Sequence, residues 1–340
     1  PPPPPPPSFQ AEDGIRDVLG GLVGSEMCIR DRGFIDVHSH SDTYLLIEPS
    51  APSKVFQGIT TEVVGNCGAS AAPLLGDYRM PSDWADKTYP GSWSSVAGYR
   101  DLLAVVKPAV NVVLLVGHSA LRAGIMGYEG RAPTPDEMAR MKRALDQALA
   151  EGGAGLSTGL VYAPGMFSDL DELAELAGVV ASRGGIYTSH MRSESGRLLA
   201  AIDEALDVGR RSGVRVEVSH LKAGGRRNWD KMDEALDKIR SAREGGQPVA
   251  ADRYPYTSGC TELDVVFPEW AAEGGRERVL ARLRDVSERA RLREDLLNSR
   301  PEEDWEGVAI GSTGERRFSG RRLPDVAREL GMHPIDAILH

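Results

Sequence analysis

A chain of 340 residues, 41% of them hydrophobic, carries enough apolar material for one large buried core or two moderate ones. Its 40 basic against 50 acidic residues give a formal charge of −10, and no long block of Lys and Arg occurs, which argues against a phosphate-tracking surface for nucleic acid. No stretch approaches the roughly 20 apolar residues of a membrane span, and the three cysteines (Cys28, Cys67 and Cys260) are too few for a disulfide framework. A cytoplasmic protein acting on a small molecule is expected, with neither nucleic acid nor membrane as partner, and an important cysteine should be a ligand or a thiol.

In chain order, residues 1–32 read unlike the rest: seven prolines precede a segment from Gln10 to Arg32 that reads as a non-native or disordered leader and is set aside from fold reasoning. From Gly33 onward, short β-branched runs alternate with longer amphipathic stretches. Strands are expected to end at Val37, Val64, Val116, Leu156, Thr188, Val218 and Asp252. Thr134, Pro135 and Glu137 supply N-cap, first-turn proline and capping-box acid for a helix whose apolar face is Met138, Met141, Leu145 and Leu149, with Gly152 after its end. Similar helical units run from Ser168 to Gly184 and from Ser195 to Gly213. Seven strand-helix pairs without an internal repeat predict an α/β fold, a (β/α)8 TIM barrel over residues 33–340. The apolar period from Pro334 stops at His340, so the last strand is expected to be missing, beyond the end of this sequence.

A barrel places its chemistry at the C-terminal ends of its strands. His38 and His40 end the first run, Cys67 the second, His190 the fifth and His220 the sixth. A lone histidine at such a place is commonly a satisfied core residue, and a free cysteine a small buried hydrophobe. Several donors gathered at one mouth are a different matter, because imidazole and thiolate are borderline-soft ligands that suit Zn²⁺ better than Mg²⁺ or Ca²⁺. His118 also ends a run and is a candidate pocket residue, whereas His333 and His340 read as incidental. Lys222, two residues past His220, is placed to share its face and bind a substrate carboxylate. Tyr162, just past the fourth strand, is a candidate donor to an oxyanion or carboxylate.

The segments 33–40 (GFIDVHSH), 65–68 (GNCG), 117–122 (GHSALR), 157–162 (STGLVY), 190–194 (HMRSE), 219–222 (SHLK) and 254–257 (YPYT) resemble, in order and spacing, the amidohydrolase superfamily and within it the D-aminoacylase (N-acyl-D-amino-acid deacylase) family. In that branch a cysteine, here Cys67, replaces the usual metal-bridging lysine carbamate. The resemblance implies a tight zinc at Cys67, His190 and His220 and a weaker or absent second metal near His38 and His40, with Cys67 shared. It implies Tyr254 as a carboxylate-binding tyrosine, puts Cys260 where a hydroxyl residue often stands, and puts a proton-carrying aspartate after the eighth strand, where this chain offers no candidate. The small flanking β-domain of the superfamily is expected to be absent.

The chemistry so implied is zinc-dependent hydrolysis of a linear amide, an N-acyl-D-amino acid giving a D-amino acid and a carboxylate through activated water. Two alternatives stand beside it. One is a cyclic amidase similar to hydantoinase or dihydroorotase, whose members usually carry lysine where Cys67 stands. The other is a thiol hydrolase with Cys67 as nucleophile and His190 or His220 as base.

Overall fold

Seven strands form one sheet in which each pairs in parallel with its neighbour in sequence. They are β1 (Phe34–Asp36), β2 (Ile59–Val64), β3 (Asn111–Gly117), β4 (Gly155–Gly159), β5 (Ile186–His190), β6 (Arg215–Val218) and β7 (Val249–Ala251). The computed structural model describes residues 33–299 and 301–340. The leader expected over residues 1–32 lies outside the described residues. All seven expected strands are present, and no eighth strand occurs among the described residues.

The longer helices between strands are α1 (Val96–Val106), α2 (His118–Met126), α3 (Pro135–Ala150), α4 (Leu170–Ser182), α5 (Leu198–Ser212) and α6 (Lys231–Glu244). Their apolar faces pack on the outer face of the sheet. Val64, Leu114, Val116, Leu156, Tyr187, Val216 and Val218 meet Met141, Leu145, Leu173, Leu176, Ile202 and Leu206 in the main core. The sheet curls strongly. β1 and β7 stand at opposite ends of the strand order, yet His38 just past β1 and Asp252 just past β7 approach to 3.2 Å. The right-handed twist of a parallel sheet covered by helices provides that curl.

The local signals hold to different degrees. At α3 the Thr134 hydroxyl accepts from the Glu137 amide at 3.3 Å, and the Glu137 carboxylate accepts from the Thr134 amide at 2.7 Å, the reciprocal box expected. Thr134→Ala should therefore lower the unfolding free energy by about 1 kcal/mol, read from urea melts. Two helix starts differ from expectation. α4 is capped by Asp169, which accepts the Glu172 amide at 2.8 Å, because the Ser168 hydroxyl instead donates to the Gly165 carbonyl at 2.6 Å. α5 begins at Leu198, because the Ser193 hydroxyl accepts the amides of Ser195 and Arg197 and holds that segment in a turn.

After β7 the chain becomes helical: Glu269–Ala272, α7 (Gly275–Arg284), α8 (Val286–Ser299), Glu302–Glu306, α9 (Leu323–Leu330) and Pro334–Ile338. These enclose a second core of Phe267, Ala271, Leu292, Leu296, Trp305, Leu323 and Ile335. His333 caps the last of these helices, its Nδ1 accepting the Ile335 amide at 3.2 Å. No helix among the described residues is long and apolar enough to cross a membrane.

Candidate metal centre

The C-terminal rim of the sheet gathers the donors. β1 ends at Asp36, so His38 and His40 lie just beyond it rather than within it, with the Ser39 amide still bonded to the Val63 carbonyl at 3.0 Å. Cys67 sits in the turn after β2 with a left-handed backbone (φ 54°). Glycines on either side make the turn possible: a Cβ at Gly65 would strike the Leu115 carbonyl, and one at Gly68 would come within 2.7 Å of the Gly159 amide nitrogen. His190 is the last residue of β5, and His220, two residues past β6, is also left-handed (φ 38°). Two candidate donors in a conformation that L-residues disfavour mark a site whose surroundings impose its geometry.

Two groups of ligand atoms lie within 4.8 Å of one another: His38, Cys67 and His220, and His190, Glu194 and His220. The sulfur of Cys67 is 3.3 Å from His38 Nε2 and 3.4 Å from His220 Nε2. Behind each imidazole stands a carboxylate. His38 Nδ1 is 3.2 Å from Asp252 Oδ2, and His220 Nδ1 is 2.6 Å from Glu194 Oε1. Lys222 Nζ also lies 2.9 Å from His220 Nδ1, but an ammonium only donates, so Glu194 accepts from both. A carboxylate requires a donor, so both rings carry hydrogen on Nδ1 and present bare Nε2 lone pairs to the sulfur.

A thiol has one hydrogen and satisfies one of those lone pairs. The other faces sulfur unmatched, and His190 adds a buried Nδ1 with no hydrogen-bond partner. Burial above all, opposed by Glu194 and reinforced by His220, Lys222 and His38, holds the His190 pKa down to about 3, so the ring stays neutral. Burial, then the charges of Glu194 and Asp252, push the Cys67 thiol far above its usual range. A divalent cation resolves all of this together, taking neutral imidazoles and a thiolate as ligands and balancing the two carboxylates. The donor set fits a metal.

The remaining expected residues are placed as follows. His40 belongs to neither group; it is exposed, with its ring edge on His38 at a centroid distance of 5.3 Å. Tyr162 packs edge-on against His190 at 5.1 Å, and its hydroxyl is 2.7 Å from the Thr261 hydroxyl. Lys222 is paired with Glu194 and lies 5.4 Å from the centre of the Tyr254 ring, itself 6.5 Å from His220. Burial pulls the Lys222 pKa down while Glu194 opposes. Burial works against the Glu194 carboxylate, yet the His220 bond and the charges of His190, His220 and Lys222 hold it at about 2. Cys260 is exposed on the loop after β7. His118, a pocket candidate by its position, is fully buried at the start of α2 and bonded to Glu172 at 2.7 Å, because the helix turns its side chain into the layer between α2 and α4. Neither Glu194 nor Asp252 is a site residue in the sequence reading. The signal available for both is a carboxylate just past a strand end on the rim that carries the histidines.

No family model matches the chain. D-aminoacylase of Alcaligenes xylosoxydans xylosoxydans is 40% identical over 232 residues, covering 68% of this chain and 48% of that protein. The structure of an N-acyl-D-glutamate deacylase from Bordetella bronchiseptica, solved with zinc and a phosphonate mimic of the tetrahedral intermediate, is 34% identical with a TM-score of 0.75, covering 90% of this chain and 58% of that one. Structures of D-aminoacylase, described as defining a subset of amidohydrolases and as holding a binuclear metal centre, are 32% identical with a TM-score of 0.73 and the same shares covered. The chain spans about half the length of the curated relatives it matches.

The curled parallel sheet with nitrogen and sulfur donors on its C-terminal rim, together with these likenesses, makes this an amidohydrolase-type chain. Within that class it belongs with the D-aminoacylases and N-acyl-D-amino-acid deacylases.

Proposed function

We propose that this chain carries the metal centre of a zinc-dependent deacylase that hydrolyses the amide of an N-acyl-D-amino acid. The observation that carries the reading is the pair of Nε2 lone pairs aimed at one sulfur, each ring backed by a carboxylate. Cys67, His190 and His220 are the proposed tight ligands, with His38 and His40 flanking a weaker second position that shares Cys67. The zinc bound by the N-acyl-D-glutamate deacylase supports the choice of metal, and the one-metal activation reported for D-aminoacylase supports two positions of unequal role. Zinc there supplies Lewis acidity toward the acyl carbonyl and makes a water molecule more acidic.

The protein groups do the rest. Lys222 and Tyr254 receive the substrate carboxylate, Lys222 sharing its charge between that group and Glu194. Tyr162 turns its hydroxyl from Thr261 to the acyl oxygen or the carboxylate. Glu194 keeps His220 in the tautomer that leaves Nε2 free. A nucleophilic thiol is the weaker reading, since a reactive cysteine needs a lowered pKa and Cys67 has the opposite surroundings.

The test pairs zinc content by elemental analysis with release of acetate from N-acetyl-D-amino acids. About one zinc per chain, and hydrolysis lost on chelation and restored by zinc, is the expected result. Folded protein that retains no metal, or hydrolysis that survives chelation and is lost on alkylation, would overturn the reading.

A further inference from the structure

Asp252 is a small fixture with four bonds. Its amide donates to the Val218 carbonyl at 3.1 Å and its carbonyl accepts the Leu221 amide at 2.9 Å, which lock the residue to the end of β6. Its carboxylate oxygens then divide. Oδ1 accepts the backbone amide of His220 at 2.6 Å, and Oδ2 lies 3.2 Å from His38 Nδ1. The side chain is only 9% exposed, so water competes weakly for either bond.

Each bond settles something the local sequence leaves open. The backbone of His220 is left-handed, a conformation with no glycine to ease it, and the Oδ1 bond is a side-chain anchor for its amide. The ring of His38 has two neutral tautomers, and a charged acceptor at Nδ1 selects the one with its lone pair on Nε2, the nitrogen 3.3 Å from Cys67. One carboxylate from the end of β7 therefore aligns a donor beyond β1 and a donor beyond β6.

The geometry points to Asp252 as the positioning residue that sets both the tautomer of His38 and the backbone angle of His220, and so aims two imidazoles, one from each proposed metal position, at the Cys67 sulfur those positions share. Its effect on metal affinity rests on the zinc reading above, whereas its effect on the His38 tautomer does not. Removal of an outer-shell partner of this kind weakens metal binding by about 10–100-fold.

The test uses the full chain and Asp252→Asn. The asparagine oxygen can keep the His220 amide, but its other atom is an N–H₂ that cannot accept from His38. In the metal-free wild type, imidazole ¹⁵N shifts should show His38 with hydrogen on Nδ1, and in D252N the hydrogen should move to Nε2. Affinity for the second zinc, which His38 flanks, read by competition with a chromophoric chelator, should fall by about 10–100-fold while circular dichroism is unchanged. Wild-type His38 carrying its hydrogen on Nε2 overturns the inference even if D252N does not fold. So does a folded D252N that keeps the wild-type tautomer or binds the second zinc within twofold of wild type. Wild-type protein without zinc affinity overturns the metal reading alone, and the ¹⁵N shifts still decide the role of Asp252.

Discussion

Cys67→Ala should remove zinc from the chain and abolish any zinc-dependent hydrolysis, with affinity falling by more than the roughly 100-fold seen for outer-shell changes, because a ligand itself is lost. Cys67→Gly sharpens the expectation. Cys67 is held at φ 54°, where an L-residue costs about 1–2 kcal/mol and glycine does not. The glycine variant should therefore bind no zinc, and its metal-free form should be more stable than metal-free wild type by about 1 kcal/mol in urea melts. A variant that loses function and gains stability is the signature of a residue kept for its chemistry. Retention of stoichiometric zinc by C67A would show that the metal is held elsewhere.

The second large effect lies away from the rim. Glu172 is 2% exposed, 2.7 Å from His118 Nε2 and paired with the equally buried Arg122. Glu172→Gln leaves the guanidinium buried without a counter-charge, and such a break costs about 3–5 kcal/mol. Burial tends to raise the Glu172 pKa, but the His118 bond and the Arg122 charge outweigh it and the net shift is downward. A lowered folded-state pKa means the stabilisation is present above the unfolded value of about 4.3 and is lost as pH falls through the folded value. The gap between wild type and E172Q should thus be full at neutral pH and shrink below about pH 4, measured by urea melts across that range. Equal stability at neutral pH would show that the pair contributes nothing net.

Some of this was legible because the causes are local. The capping box of α3 needs only Thr134 and Glu137 three residues apart. The position of His190 and His220 at strand ends follows from the β-branched runs before them. Between β7 and the apolar period that starts at Pro334, the helical segment was not legible. α7 and α8 are rich in arginine and glutamate, and their burial depends on Trp305, Leu323 and Ile335 arriving from later in the chain.

The sequence by itself determined the order of the seven strands and the alternation of helices between them, and which residue types could serve as metal donors, because both depend on neighbours a few positions away. Only the tertiary structure decided which donors share a site. His118 has much the same local setting as His190 and His220, yet it turns to Glu172 in the core, while His38 meets Asp252 across 214 positions. That choice was made by the curl of the sheet, which brings the ends of β1 and β7 together, and by buried carboxylates whose charge had to be matched wherever the chain placed them.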